Sequence, residues 1–258
     1  MIEIALEKID QMEDKEEVLK RVFSIQCYHD SKYFEKNIEK NLLKILKKYY
    51  LKEEEITQEI SYDEILAQIG ILKAPEVIEF CGNLKGIING QEIQYKDITK
   101  GSYMNSYTIL NIENIQIQAD IIILIENKTN YLNYIQNKKT NEFVIYHGGM
   151  YSPIKGEFIK KVYQASNTKI TKYYHWSDID IGGFNIYKRL KENIIPEVEP
   201  YKMDVQAFLE NKENWGRISP QYAHRLEEIL HMEKYIEFYD VIKLMIEYQS
   251  RLEQESML

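Results

Sequence analysis

Five isoleucine and leucine residues in unbroken succession, Ile121 to Ile125, run directly into Glu126, Asn127 and Lys128. A continuous aliphatic run of that length suits a strand buried on both faces, the centre of a parallel sheet covered by helices. The sequence after it keeps to that plan. A helix over 127–136 is followed by a strand over 143–146 that ends at Gly148-Gly149. Pro153 then opens a helix running to Ala165, a position where the first turn accepts proline. A strand over 170–176 and a helix over 181–191 come next, then a fourth strand over 198–203 and a short helix over 205–210. The longest helix is expected at 232–253. Strand–helix repeats of this length predict an α/β fold, a mostly parallel sheet with helices on both faces.

Ahead of this region the periods differ. Residues 2–12, 16–25 and 33–51 space their apolar residues three and four apart, with Phe34, Ile38, Leu42, Ile45 and Leu46 on one stripe. Ser61 and Glu64 form a capping-box pair before Ile65-Leu66, and Gly70 is a suitable stop. Short strands over 77–80, 84–88 and 92–95 follow, with Asn89-Gly90 as a hairpin turn. Helices followed by a small hairpin suit a winged-helix-like module. The expected organisation is therefore a helical, winged-helix-like module at 1–105 and an α/β domain at 106–258.

Composition narrows the class. No stretch approaches the 18 or so apolar residues of a membrane span, and Met1-Ile-Glu-Ile-Ala has neither a basic nor an apolar signal region. Two cysteines, Cys27 and Cys81, without a CxxC or a histidine cluster, suggest reduced thiols and no zinc site. A cytoplasmic protein is expected. The net charge of −8 argues against a protein that simply coats DNA, but the charge is uneven. Lys36 to Lys52 holds six lysines, Lys44 and Lys48 among them, against one glutamate; Lys155 to Lys172 holds five against one. Such faces can meet a phosphate backbone, or they are solvated helix faces. The acidic stretches 1–20 and 227–258 favour a protein partner, with a homodimer as one form.

In open parallel sheets, sites form at the carboxyl ends of the strands. Those ends carry Glu126, His147-Gly148-Gly149, and Ser177-Asp178-Ile179-Asp180 followed by Gly182-Gly183. Two like charges about 4 Å apart cost on the order of 4 kcal/mol at an effective dielectric near 20. Three converging carboxylates are tolerable around a hard divalent cation, which suits Mg²⁺ or Mn²⁺ with water and phosphate oxygens in its shell. Taken singly the residues have plainer readings: Glu126 as polar strand termination, Asp180 as the N-cap of the next helix, Asp178 as a turn residue. Lys128 and Lys155 stand near the carboxylates and suit phosphate contact, although lysine on a helix is usually surface. His147 and His175 suit proton transfer or a structural place in the core.

A strand-end glutamate, then Gly-Gly, then DxD in successive βα units is similar to the Toprim signature. The wider chain resembles the JetD family. The residues concerned are His29-Asp30-Ser31-Lys32 with Glu35, Gly70 with Pro75-Glu76, Gly82-Asn83-Leu84, Ile125-Glu126-Asn127, the aromatic-rich Tyr174 to Phe184 segment around Asp178-x-Asp180, and Arg251-Leu252-Glu253-Gln254-Glu255. That resemblance implies a Toprim domain joined to a winged-helix-like module, as in the A subunit of topoisomerase VI. It implies Mg²⁺-dependent cleavage of DNA in the Wadjet anti-plasmid system, beside SMC-like partners. By position, Glu126 is implied as metal ligand or general acid–base, Asp178 and Asp180 as metal ligands, and Glu253 and Glu255 as the rest of the acidic set. A second Ile-Glu-Asn occurs at Ile112-Glu113-Asn114, but no five-residue apolar run precedes it, so Glu126 is preferred. Alternatives of other classes are a non-hydrolytic DNA-binding or assembly subunit, and another Toprim chemistry such as RNA cleavage or strand passage.

Overall fold

The computed structural model describes residues 1–13, 15–49, 60–139, 141–166 and 170–258. Leu51 and Lys52 of the third predicted helix and first basic stretch, and Lys169 of the second, lie outside them.

The class is α/β. A six-stranded sheet runs, edge to edge, Glu199–Pro200, Lys172–Trp176, Ile121–Ile125, Glu142–Tyr146, Val77–Cys81 and Ser102–Asn105. The first four are parallel and the last two antiparallel to their neighbours. The aliphatic run is a central strand, with Ile122 to Ile125 wholly buried. From it the chain crosses to 142–146 on one side, then back over it to 172–176 on the other. Right-handed crossovers in opposite directions put helix Lys128–Asn137 on one face and helices Pro153–Ala165 and Ile181–Asn193 on the opposite face. Phe80, Phe143 and Phe158 meet at ring separations of 5.4–5.6 Å between sheet and helix.

Strands from both sides of residue 105 share two sheets. Val77–Cys81 pairs with Glu142–Tyr146, and the hairpin Leu84–Ile88/Gln91–Gln94 pairs with Glu113–Ile117. Asn89 and Gly90 both have positive φ, at 50° and 75°, as a type I′ hairpin requires. The amino-terminal helices Ile2–Asp10, Lys20–Tyr28 and Glu39–Tyr49, with the capped turn of helix Tyr62–Ala67, enclose a second apolar core around Phe23, Phe34, Leu42 and Leu66. Met150, within the loop between strand 142–146 and helix 153–165, belongs to that core and joins it to the sheet.

Two expectations are corrected. The fourth strand shrinks to Glu199–Pro200, a two-residue edge strand, the position where a sheet tolerates proline. The long helix at 232–253 is broken: a 3₁₀ segment, Glu233–Phe238, precedes helix Tyr239–Tyr248, and Gln249 ends it in the left-handed region. Buried contacts fix the break. Phe238 stacks on Phe184 at 4.3 Å, and the Tyr235 hydroxyl donates to Asn185 Oδ1 at 2.6 Å. Beyond Gln249 the chain is extended, and Ser250–Arg251 pairs with Gly216–Arg217. Among the described residues, no helix is long and apolar enough to cross a membrane.

Candidate functional site

Adjacent parallel strands 121–125 and 172–176 send their connections in opposite directions, so a crevice opens at their carboxyl ends. Glu126 leaves the first strand and Asp178 the second. The Glu126 N–H donates to the Trp176 carbonyl at 3.0 Å, which carries the pairing one residue past the strand and holds the two loops together. A cavity of about 80 Å³ lies there, lined by Glu64, Glu126, Gly149, Asp178, Asp180 and Arg189 among others.

Burial governs the chemistry of these acids. It pushes the Glu126 carboxyl up to about 7; hydrogen bonding from the Ser177 hydroxyl and the Asp178 N–H offsets part of the rise, and the nearby charges of Glu64 and Glu253 add to it. Glu126 Oε2 is buried with no hydrogen-bond partner among the described residues. Burial and the neighbouring carboxylates of Glu126 and Asp180 push Asp178 well above the usual range, although its Oδ1 accepts the Gln254 N–H at 2.6 Å. Each acid is held toward its neutral form by burial and by the other carboxylates.

Asp180 has the plainer role as well as the suspected one. It is 3% exposed and caps helix 181–193 by accepting the Gly183 N–H on Oδ1 at 2.7 Å, with Oδ2 3.6 Å from Arg251 Nη1. Gly183 makes this turn possible: a Cβ there would stand 2.2 Å from the Asp178 carbonyl oxygen. Gly183→Ala is therefore expected to destabilise the chain by about 1–3 kcal/mol and to displace Asp178, measured as a lower urea midpoint. An unchanged midpoint would show that the turn has slack.

The segment after Tyr248 closes the site. Leu252 and Ile179 exchange backbone hydrogen bonds at 2.9 and 3.3 Å. Gln254 is fully buried; its side-chain oxygen accepts the Asn127 N–H at 2.8 Å and its carbonyl accepts from Asn130 Nδ2 at 2.8 Å. Glu253 is bound to Arg251 at 2.9 Å and lies near enough to both carboxyls to raise them. Glu255 is exposed and does not line the cavity.

Other candidates are spread more widely. The Lys128 ammonium pairs with Glu79 and lies over the Tyr103, Tyr131 and Tyr146 rings. Lys155 donates to the His147 carbonyl at 3.0 Å beside the Gly148-Gly149 loop. Lys44 and Lys48 are exposed on helix 39–49, and neither lines the cavity. Glu113 is exposed on its strand. His147 and His175 are buried and stacked at 5.3 Å; burial holds His147 down near 4 and His175 well below the usual imidazole range, so both are neutral. Ser177 Oγ lies 3.1 Å from His175 Nε2, which ties the histidine pair to the floor under Glu126.

Sequence reasoning missed Glu64 and Arg189. Glu64 is read as half of a capping box, and that box is present, but its Oε1 also accepts the Met150 N–H at 3.1 Å and enters the cavity. The oxygen lies close over Gly149: a Cβ there would stand 2.2 Å from it, so any larger residue would require the Glu64 side chain to move. Nothing in local spacing marks the second role. Among the described residues, no three His, Cys, Asp or Glu side chains form a ready-made metal cage.

Residues 88–258 match the family described as Wadjet protein JetD, C-terminal. The chain belongs to the JetD family. The matched span includes every cavity acid except Glu64, together with Arg189 and the closing segment at 250–257. A relative from Bacillus cereus (strain Q1), named Wadjet protein JetD, is 31% identical over 255 residues. The alignment covers 97% of this chain and 59% of that relative, so the chain spans well under two thirds of its length. Helices 20–28 and 39–49 precede the JetD match, yet they pack around the loop that carries Gly149 and Met150.

Proposed function

We propose that this chain is the metal-dependent nuclease subunit of a Wadjet anti-plasmid complex, hydrolysing DNA phosphodiesters at the Glu126–Asp178 cavity of a Toprim domain. One observation carries the reading: Glu126 Oε2 is buried and unpartnered, facing an Asp178 that is also held off its charge, at the switch point of a parallel sheet. The Toprim assignment draws support from a strand-end glutamate and a DxD after neighbouring parallel strands, with the glycine-containing loop beside them. Membership of the JetD family supports the Wadjet setting, with SMC-like subunits as partners, plasmid DNA as substrate and a homodimer as the working form.

The donor set fits a hard cation. Mg²⁺ commonly binds through one or two carboxylates and fills its shell with water and substrate phosphate, so the lack of a three-ligand cage does not count against it. Glu126 and Asp178 would hold it. Mn²⁺ would suit the same oxygens. When bound, the cation neutralises phosphate charge and acidifies a water. Ser177 and the Asp178 N–H orient the Glu126 carboxyl toward the cavity. Asp180 shapes the turn that presents Asp178, and the Gln254 N–H fixes one Asp178 oxygen.

The test is incubation of the purified chain with circular and linear plasmid in EDTA, Mg²⁺ or Mn²⁺, beside Glu126→Ala and Asp178→Ala/Asp180→Ala. The expected result is metal-dependent cutting, lost by at least a hundredfold in both variants, consistent with several kcal/mol of transition-state stabilisation from a catalytic metal. No cutting with any metal, and equal DNA binding by the variants, would instead assign the cavity to a non-hydrolytic assembly role. A covalent protein–DNA adduct would mark strand passage, and cleavage confined to RNA would mark a ribonuclease.

A further inference from the structure

Arg189 sits in the same cavity as the acids without pairing to them. Among the described residues, no ion pair joins it to Glu64, Glu126 or Asp178, although all four side chains line one cavity of about 80 Å³. Its place is fixed from behind. Gln68 donates from Nε2 to the Tyr151 and Glu64 carbonyls, at 3.3 and 3.4 Å, and so turns its Oε1 to accept from Arg189 Nη2 at 2.9 Å. The guanidinium carbon lies 4.7 Å from the centre of the Tyr151 ring. One nitrogen is thus satisfied and one face stacked, while Nη1 is buried with no hydrogen-bond partner among the described residues. A guanidinium keeps its charge at any ordinary pH, and a buried, unsatisfied donor on it is costly. A neutral glutamine and an aromatic ring hold it where the obvious counter-ions, the carboxylates, do not reach it.

Resting on the nuclease reading of this cavity, we propose that Arg189 is a phosphate-binding residue: Nη1 donates to a non-bridging oxygen of the DNA backbone phosphate that enters beside Glu126 and Asp178. The two halves of the cavity then divide the work by charge, the carboxylates taking a cation and the guanidinium the anion. Gln68 is a positioning residue for it. The planar fork of arginine suits phosphate, and a charge-assisted contact of this kind is about twice as strong as a neutral one.

The test is binding, so that it stands apart from cleavage. A short fluorescein-labelled DNA duplex is titrated with the wild-type chain, Arg189→Gln, Arg189→Lys and Gln68→Ala, with Ca²⁺ present, over a series of KCl concentrations. Arg189→Gln is expected to weaken binding about tenfold or more, and to reduce the slope of log affinity against log salt by about 0.9, the value of one phosphate contact. Arg189→Lys should keep the slope and lose part of the affinity. Gln68→Ala should lose affinity with the slope kept, which a purely structural arginine would not produce. Wild-type affinity and slope in Arg189→Gln would overturn the proposal, even if the wild-type chain cuts plasmid. A lost contact in a chain that cuts nothing would support it and defeat the nuclease reading instead. Should Arg189→Gln fail to fold, as shown by its melting curve, Arg189→Lys decides: unchanged affinity there overturns the assignment.

Discussion

Replacing Glu126 by glutamine is expected to raise the melting temperature of the metal-free chain at pH 8 and to leave it nearly unchanged at pH 4. The carboxyl is raised from 4.5 to about 7 in the folded chain. A raised acid contributes stability that is fully present below the unfolded value and is lost as pH climbs through the folded one. The window is therefore about pH 4.5 to 7, and above it the fold carries an ionised, buried carboxylate. At roughly 1.4 kcal/mol for each tenfold change in proton affinity, the cost is about 3 kcal/mol. For a chain of this size that corresponds to about 5–10 °C. Asp178 shifts in the same direction, over a wider window that extends above that of Glu126. Mn²⁺ or Mg²⁺ should recover much of this stability in the wild type at pH 8 and little of it in Glu126→Gln, because ligands that bind only the folded state stabilise it. Scanning calorimetry at the two pH values, with and without cation, makes the measurement. A glutamine variant that melts at or below the wild-type temperature at pH 8 would sink the idea that this carboxyl is held against its charge.

Leu252→Ala should cost about 2–5 kcal/mol, while Glu255→Ala, three residues on, should change stability by less than about 0.5 kcal/mol. Leu252 is fully buried and exchanges backbone hydrogen bonds with Ile179, between the two aspartates. Glu255 is exposed. Loosening Leu252 also withdraws the Gln254 N–H from Asp178, so hydrogen exchange should rise at 177–180 as well as at 250–257. Equal urea midpoints for the two variants would mean that the closing segment is not anchored through Leu252.

The parts of this fold legible in the sequence are those that local pattern determines. Ile121 to Ile125 declares a buried strand because no polar residue interrupts it, and Asn127, Ser152 and Asp180 cap helices where they stand. Glu126 follows its strand directly and Asp178 follows its own after Ser177, so parallel pairing brings them to the same edge. What local pattern does not encode is which distant surface completes the crevice. Glu64 reaches it from a capped turn across Gly149, and Arg189 reaches it because Gln68 and Tyr151 orient it; each depends on packing between segments tens of residues apart. The short strand expected at 77–80 is present, but nothing in it names 142–146 as its neighbour, and the strand 102–105 on its other side is not legible in the sequence. Gln254 lies in a motif that draws the eye to its glutamates, yet the glutamine between them is the buried residue that binds both loops.

That last contact sets an order on biosynthesis. Asp178 precedes the N–H that caps it by 76 residues, and Asn127 precedes its acceptor by 127. At roughly 5–20 residues per second, a ribosome needs about 4–15 s to cover the shorter gap. Through that interval a growing chain has both carboxylates but not the residue that orders them. The acidic crevice takes its final form only after residue 254 has emerged, a delay written into the connectivity itself.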